Sequence, residues 1–344
     1  MAKWYEVPGN RDSNVVYSRI RLVRNCADYP FPGNMTKEQS QEMTDRICNG
    51  LKDITSFDGI QCRSVSLHQI TDLEKTALME RRAINRSMLK KSEPAALILS
   101  DDERMAITIN GDDHIRIQIL EKGLNLFDCY RRANTADDYI EERFPSAFDE
   151  KYGYLTTFPT NMGTGLRASA VVHLPLLSRT KNFNSLVADM GRFGTIVRGV
   201  YGEGNENFGS LYQVSNQKTL GQSEKDIIDL VTKAAAELDA QECRLRKRAL
   251  KQRPVVCADE AYKSYGILKY ARRLTGKDSM QLLSQMMAGI TDGILESEHS
   301  CSIYALMLGI QPANLLRQAE RPLNKEELEV VRADYLRARL PEIY

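Results

Sequence analysis

Three observations on this 344-residue sequence predict an α+β fold, an antiparallel β-sheet flanked by helices and followed by a helical C-terminal domain. Residues 95–100 (AALILS), 105–110 (MAITIN) and 114–120 (HIRIQIL) are short β-type runs separated by acidic turns, the pattern of an antiparallel meander. Around them, apolar residues recur at three- and four-residue spacing, the mark of helices that bury one face. Beyond Pro254 no convincing strand appears.

The elements follow in order. YSRIR, with Arg19 and Arg21 two apart, reads as a strand that turns both guanidinium groups to one side. Residues 37–90 read as mostly helical, from TKEQSQEMTDRICNGL and TDLEKTALMERRAI. After the meander and a helix-like region comes a glycine-rich loop, and strand candidates at 168–174 and 210–215 extend the sheet. Ser223 with Asp226 has capping-box spacing and opens a long helix towards Leu250. Arg253-Pro254 marks the expected boundary between a domain at 1–253 and one at 254–344, since proline cannot continue the helix. From Glu260 the chain reads as short helices, two of them opened by Thr275/Asp278 and Asn324/Glu327. Met280, Leu283, Met286, Met287 and Ile290 form an apolar stripe for core or dimer packing.

Bulk composition excludes several classes. With 47 basic and 46 acidic side chains the net charge is +1, so no overall field favours nucleic acid or an anionic membrane. The seven cysteines lie far apart with no zinc-ligand spacing, which reads as reduced thiols. Neither a signal peptide nor an apolar run of spanning length is seen, so the expected location is the cytoplasm. The basic run 244–248 (RLRKR) ends the long helix and reads as a solvated helix end, where cations favour the macrodipole.

The chemistry gathers on arginine. The loop FPTNMGTGLRAS supplies Gly163 and Gly165 for tight backbone approach and delivers Arg167 into a strand. Arg19, Arg21, Arg116 in DDHIRIQ and Arg198 in IVRGVYGEG bring the total to five guanidinium groups for one anionic site. In HIRIQ, alternation puts His114, Arg116 and Gln118 on one face. Arginine suits a phosphate site because its planar, permanently charged fork binds oxygens two at a time. Neither a Walker A lysine motif nor GxGxxG is present, so a nucleotide would be held by arginines.

In this order and spacing, YSRIRLVRN, DDHIRIQ, FPTNMGTGLRAS and VRGVYGEG resemble the ATP:guanido phosphotransferase superfamily. The short region before YSRIR and the tail SYGILKYARRLTGKDSMQLLS are similar to the bacterial protein arginine kinases. The resemblance implies ATP and Mg²⁺ as cofactors, an exposed arginine of a protein as acceptor, and phosphoarginine as product. It further implies a role in protein quality control, with a McsA-like activator, a Clp ATPase/protease and a homodimer as partners. By motif position Arg19, Arg21, Arg116, Arg167 and Arg198 correspond to the nucleotide-phosphate clamp, and Ser18 and His114 fall in the same cofactor-binding motifs. Magnesium in this superfamily sits largely on phosphates and waters, so no dedicated protein cage is expected.

Three departures stand out. An acceptor guanidinium is protonated in water and needs a carboxylate to orient it and take its proton. The superfamily has NEEDH there, whereas this chain reads NGDDH and places Asp112 in the slot of the catalytic glutamate, with about 1.5 Å less reach. Glu203 matches the second substrate-side carboxylate. Phe158 replaces the family's cysteine, and of the RDxxRA-type phosphoarginine motif only Arg332 and Ala333 remain. Two alternatives therefore accompany the kinase reading: a nucleotide-binding pseudokinase acting as an adaptor or regulator, and a kinase of a small guanidino metabolite.

Overall fold

A computed structural model describes residues 1–344 except 11, 55, 203–206, 298, 299 and 320. Along the chain run β1 (Val15–Arg24), α1 (Lys37–Gly50), β2 (Ser56–Phe57), β3 (Ile60–Ser66), α2 (Asp72–Glu80), β4 (Ala96–Ser100), β5 (Met105–Ile109), β6 (Ile115–Lys122) and α3 (Leu126–Glu141). A two-residue hairpin, β7 (Phe148–Asp149) with β8 (Gly153–Tyr154), precedes β9 (Leu166–His173), α4 (Phe183–Arg192), β10 (Thr195–Gly199) and β11 (Leu211–Asn216). Then come α5 (Glu224–Gln252), α6 (Pro254–Tyr270), α7 (Gly276–Thr291), α8 (Ile303–Gly309), α9 (Pro312–Leu316) and α10 (Lys325–Arg339).

Nine strands form one antiparallel sheet in the order β10-β11-β9-β1-β6-β5-β4-β3-β2. The meander β4-β5-β6 lies where its alternating pattern puts it, and the α+β class holds. Two expectations change. The segment 37–90 contains the hairpin β2–β3 between its two helices, and β3 pairs with β4 at the sheet edge. The C-terminal helices are also not short: α6, α7 and α10 run 17, 16 and 15 residues. Helix starts follow the capping chemistry, since the side chains of Ser223, Thr275 and Asn324 each accept the N–H three residues on. At the boundary, Arg253 leaves helical geometry and Pro254 is the first residue of α6, where its missing N–H costs nothing.

The two-residue period of β1 divides the interior. Ile20 and Leu22 pair with Ile119 and Ile117 on β6 and with Ala168 and Leu166 on β9. They pack against Met43 and Ile47 of α1, Cys129 and Ile140 of α3, and Ile228 and Val231 of α5. The opposite face is split along its length. At one end Tyr17, Leu120, Val171 and Leu211 join Leu268, Met286, Tyr304 and Leu336 of the C-terminal helices in one apolar cluster. The stripe on α7 is core, with Met280, Leu283 and Met286 buried in that cluster. Further along this face Leu97, Leu99 and Ala106 pack against Leu78 and Met88, and between the two apolar clusters Arg21, Arg116 and Arg167 line an open pocket.

Arg246, inside the basic run, is buried rather than solvated. It pairs with Asp292 at 2.8 Å and also binds Asn14 Oδ1 and the Ala288 carbonyl. It thus joins α5 to α7 and to the residue before β1.

Candidate active site

Cross-strand partners share a face, so the register gives the arrangement directly. Arg21 lies opposite Arg167 on β9, and Arg116 lies opposite Val23, the next residue on the Arg21 side of β1. Arg19 faces Ser169, and Arg198 on β10 faces Gln213, whose partner on β9 is Val171. All five guanidinium-bearing positions therefore share one face of the sheet; Arg21, Arg116 and Arg167 line its open pocket, while Arg19 and Arg198 lie outside the pocket wall, level with Leu120 and Val171. Arg19 is held by Ser169 Oγ at 3.2 Å and Gln213 Oε1 at 2.7 Å.

The electrostatics report crowding. Burial, then Arg19, Arg116 and Arg167, pulls the Arg21 guanidinium well below its usual value. Burial and Arg19 lower Arg116 to about 10, with Asp112 and Asp113 opposing. Burial and Arg198 lower Arg167. These groups stay charged at neutral pH, so the shifts measure mutual repulsion and lost hydration. Among the described residues, Arg21, Arg116, Arg167 and Arg198 have no ion pair to a carboxylate, and the buried Nε atoms of Arg21 and Arg116 have no hydrogen-bond partner. Buried charges normally come paired. Among the described residues the protein supplies no carboxylate to pair this cluster.

Arg21, Arg116 and Arg167 line a pocket of about 140 Å³ together with Asp112, Asn85, Phe158 and Asn161. Asp112 Oδ2 accepts from Asn85 Nδ2 at 2.8 Å. Its neighbour Asp113 turns inward and accepts from Asn25 Nδ2 at 2.8 Å and the Thr157 N–H at 2.7 Å. The turn between β5 and β6 presents Asp112 through Asn110, which adopts φ 56°. Lys91 Nζ grips the Gly111 carbonyl at 2.9 Å. Phe158 is 48% exposed at the pocket wall.

The glycine loop is held from below. Gly165 has φ 65°, and a Cβ there would stand 2.7 Å from the Val23 carbonyl and 2.6 Å from Arg24 Nη1. Arg24, buried, donates to the Thr164 and Val23 carbonyls, pairs with Asp137 of α3 and lies 3.6 Å from the centre of the Tyr154 ring. Only glycine lets the loop approach β1 this closely and release Arg167 opposite Arg21.

Two sequence-indicated residues sit elsewhere. Ser18, adjacent to Arg19, points to the other face, donates to the Gly123 carbonyl at 2.8 Å and accepts the Asn125 N–H at 2.9 Å. His114 is buried. Its Nδ1 accepts the Cys26 N–H at 3.0 Å and its Nε2 lies 2.9 Å from the Pro30 carbonyl, so both ring nitrogens are engaged within the protein. The His114 ring is not part of the pocket wall, unlike Arg116, so the common face expected for HIRIQ holds from Arg116 onward. Glu203 lies outside the described residues.

Two residues near the site escaped the sequence reading. Arg82, at φ 71°, follows α2, and its carbonyl accepts from Gln118 Nε2 at 2.7 Å. Its guanidinium lies 4.9 Å from the Tyr201 ring centre and close enough to Arg19 to depress that group's pKa, after burial. Asn85 is on the same loop. Neither carries a motif, and the only available signal was an arginine and an asparagine at the end of a helix.

The donor set near the pocket is cationic, with Asp112 as its open carboxylate, and no group of three His, Cys, Asp or Glu converges as a metal cage among the described residues. No helix among the described residues is long and apolar enough to cross a membrane.

Comparison with known proteins identifies the family. Residues 42–245 match the ATP:guanido phosphotransferase C-terminal catalytic domain, and residues 254–344 match the protein-arginine kinase McsB C-terminal domain. The chain is 36% identical to a protein-arginine kinase of Halothermothrix orenii, over 99% of this chain and 97% of that protein. It is 38% identical to one of Symbiobacterium thermophilum, over 98% and 96%. Among solved structures, lombricine kinase superposes with a TM-score of 0.60 at 23% identity, covering 73% of this chain and 72% of that one. The duplicated taurocyamine kinase of Schistosoma mansoni superposes with a TM-score of 0.60 at 24% identity, covering 72% of this chain and 37% of that one, and these two likenesses concern the fold. With a catalytic-domain match across more than half its length and full-length relatives above 30% identity, the chain belongs to the ATP:guanido phosphotransferases, in the protein-arginine kinase family.

Proposed function

We propose that this protein phosphorylates arginine side chains of other proteins with ATP. The observation that carries the reading is the set of unpaired arginines sharing one pocket with the carboxylate of Asp112. Arg19, Arg21, Arg116, Arg167 and Arg198 hold the polyphosphate and neutralise charge as it spreads over the transferring group. Mg²⁺ supplies further neutralisation when bound on the phosphates. Asp112 orients the acceptor guanidinium and takes its proton as the new P–N bond forms and the bond from the γ-phosphorus to the bridging oxygen breaks, leaving ADP. Glu203 serves as the second carboxylate on the acceptor side.

In this reading residues 1–253 carry the chemistry and residues 254–344 support it and form a homodimer. The dimer rests on α6, where Val255, Val256, Tyr262, Ile267 and Tyr270 are exposed along one side of the helix. The acceptors are proteins with exposed arginine, the setting is the cytoplasm, and a McsA-like activator and a Clp ATPase/protease are the expected company.

Incubation with ATP and an arginine-rich protein is expected to yield acid-labile phosphate on arginine, absent with Arg116→Ala. Label equal to that control would overturn the reading. Phe158 favours a second reading, since a phenyl ring brings no charge to the acceptor side of the pocket. A pseudokinase would bind ATP yet transfer phosphate only after Gly111→Glu, Asp112→Glu and Phe158→Cys are combined. Equal trials with free arginine and creatine separate a metabolite kinase from both.

A further inference from the structure

We propose that Asn85 is a positioning residue for phosphoryl transfer, locking the Asp112 carboxylate into the orientation that receives the acceptor guanidinium. This rests on the kinase reading above. A short aspartate on a turn has two free side-chain torsions, and an unrestrained carboxylate samples several orientations, of which few meet the incoming nitrogen. Asn85 removes that freedom. Its Nδ2 donates to Asp112 Oδ2 at 2.8 Å and to Ser87 Oγ at 2.7 Å, so both amide hydrogens are committed and the amide itself cannot turn. Asp112 Oδ1 has no hydrogen-bond partner among the described residues, leaving one fixed oxygen and one open oxygen at the pocket wall.

The surroundings make the restraint rigid. Asn85 stands at the start of the 3₁₀ turn Arg86–Lys90, and its side chain does not cap that turn. The Asn85 carbonyl accepts the Met88 N–H at 3.2 Å. Lys91, just past the turn, holds the Gly111 carbonyl. The loop therefore grips the Asp112 turn at two points, the backbone through Lys91 and the carboxylate through Asn85. From the other side Asn25 and Thr157 fix Asp113. The shorter carboxylate of Asp112 is thus held at one oxygen by a partner reaching in from the loop after α2.

The test compares full-length variants for phosphoarginine formation and, separately, for Mg·ATP binding by a fluorescent nucleotide. A hydrogen bond to a charged group predicts that Asn85→Ala lowers kcat about tenfold or more while nucleotide affinity stays within about twofold of wild type. Asn85→Asp keeps the shape but sets two carboxylates together, and is expected to lose more activity than the alanine variant. Ser87→Ala frees the second amide hydrogen and lets the amide turn, so it is expected to lower kcat, though by less than Asn85→Ala, and a loss exceeding that of Asn85→Ala would count against the proposal. Asp112→Asn reports on the underlying reading: full activity there removes Asp112 as the acceptor carboxylate. If Asp112→Asn is inactive yet Asn85→Ala and Asn85→Asp both turn over like wild type, Asn85 has no positioning role and the kinase reading stands. Should Asn85→Ala unfold on heating well below wild type, the isosteric Asn85→Asp alone decides, and wild-type turnover in it overturns the proposal.

Discussion

Arg21 and Arg116 are held in the folded chain against their own electrostatics, and this separates their functional from their structural contribution. Each is packed among like charges with a buried Nε that finds no acceptor among the described residues. Replacing Arg116 by Met is therefore expected to leave stability unchanged or raise it by up to about 1 kcal/mol, since an uncompensated buried group is lost. The same change should abolish the stabilisation by ligand, which for the natural protein amounts to about 2.7 kcal/mol at a hundredfold excess of Mg·ATP over its Kd. Thermal unfolding with and without Mg·ATP checks both halves, and a variant stabilised by nucleotide as much as wild type would refute the clamp. The two-residue period that aligned Arg19 with Arg21 was legible in YSRIR, and the same period turns Ser18 away from them. Asn85 and Arg82 were not legible, because only folding brings the end of α2 over the open face of the sheet.

Loops and helices carry a different kind of constraint. Gly165 and Gly221 both adopt positive φ, at 65° and 76°, but a Cβ on Gly165 would strike the Val23 carbonyl, whereas none of the surrounding atoms comes within 4 Å at Gly221. Gly221→Ala should cost about 1 kcal/mol from backbone strain alone, while Gly165→Ala should cost several times more and displace Arg167. Urea unfolding midpoints of the two variants give the comparison, and equal losses would show that the loop does not press on β1. The glycine pattern announced a tight turn, yet what the turn presses against was invisible without β1 beside it. The basic end of α5 makes the same point. Arg246→Ala strands Asp292 and is expected to cost about 3 kcal/mol, whereas Arg244→Ala, whose ion pair with Glu237 is exposed, should change stability by less than about 0.5 kcal/mol. By sequence the two arginines belong to one run. The 3.6-residue turn of the helix separates them, and the contact with α7 decides which is buried.

The joint between the sheet and the C-terminal helices runs through the whole protein and gives it a pH dependence. His173 on β9 is buried with Nε2 2.7 Å from Ser284 Oγ of α7, and burial, with Arg246 adding to it, lowers its pKa to about 3. The unfolded chain takes up this proton near pH 6.5 and the folded chain does not until about pH 3. The stabilisation is therefore complete above about pH 6.5 and is lost progressively as pH falls towards about 3. Between pH 6.5 and 4.5 the loss amounts to about 2 to 3 kcal/mol from this one group. Denaturant unfolding of wild type and His173→Gln at both pH values tests it, the variant being expected to lose correspondingly less on acidification. For the proposed homodimer, Tyr262→Glu with Tyr270→Glu on the exposed side of α6 is expected to halve the mass seen in sedimentation of the natural protein, and a natural protein that is itself a monomer, or a variant of unchanged mass, would remove α6 as the dimer contact.

What could be read from the residues alone was local: alternation that names a strand and its faces, capping boxes that open helices, glycines that mark a tight turn, and arginine as the group suited to phosphate. These follow from periods of two and 3.6 residues and from side-chain chemistry, which need no distant partner. Convergence needed the fold. Arg21 and Arg167 are opposite each other because β9 pairs with β1 although the two strands lie far apart in sequence, and one step of register would have sent an entire set of side chains to the apolar face. The packing of the C-terminal helices at one end of the opposite face, and of α2 further along it, then leaves an open, charged pocket between them. Long-range pairing and packing, which no local pattern encodes, turned scattered arginines into a site.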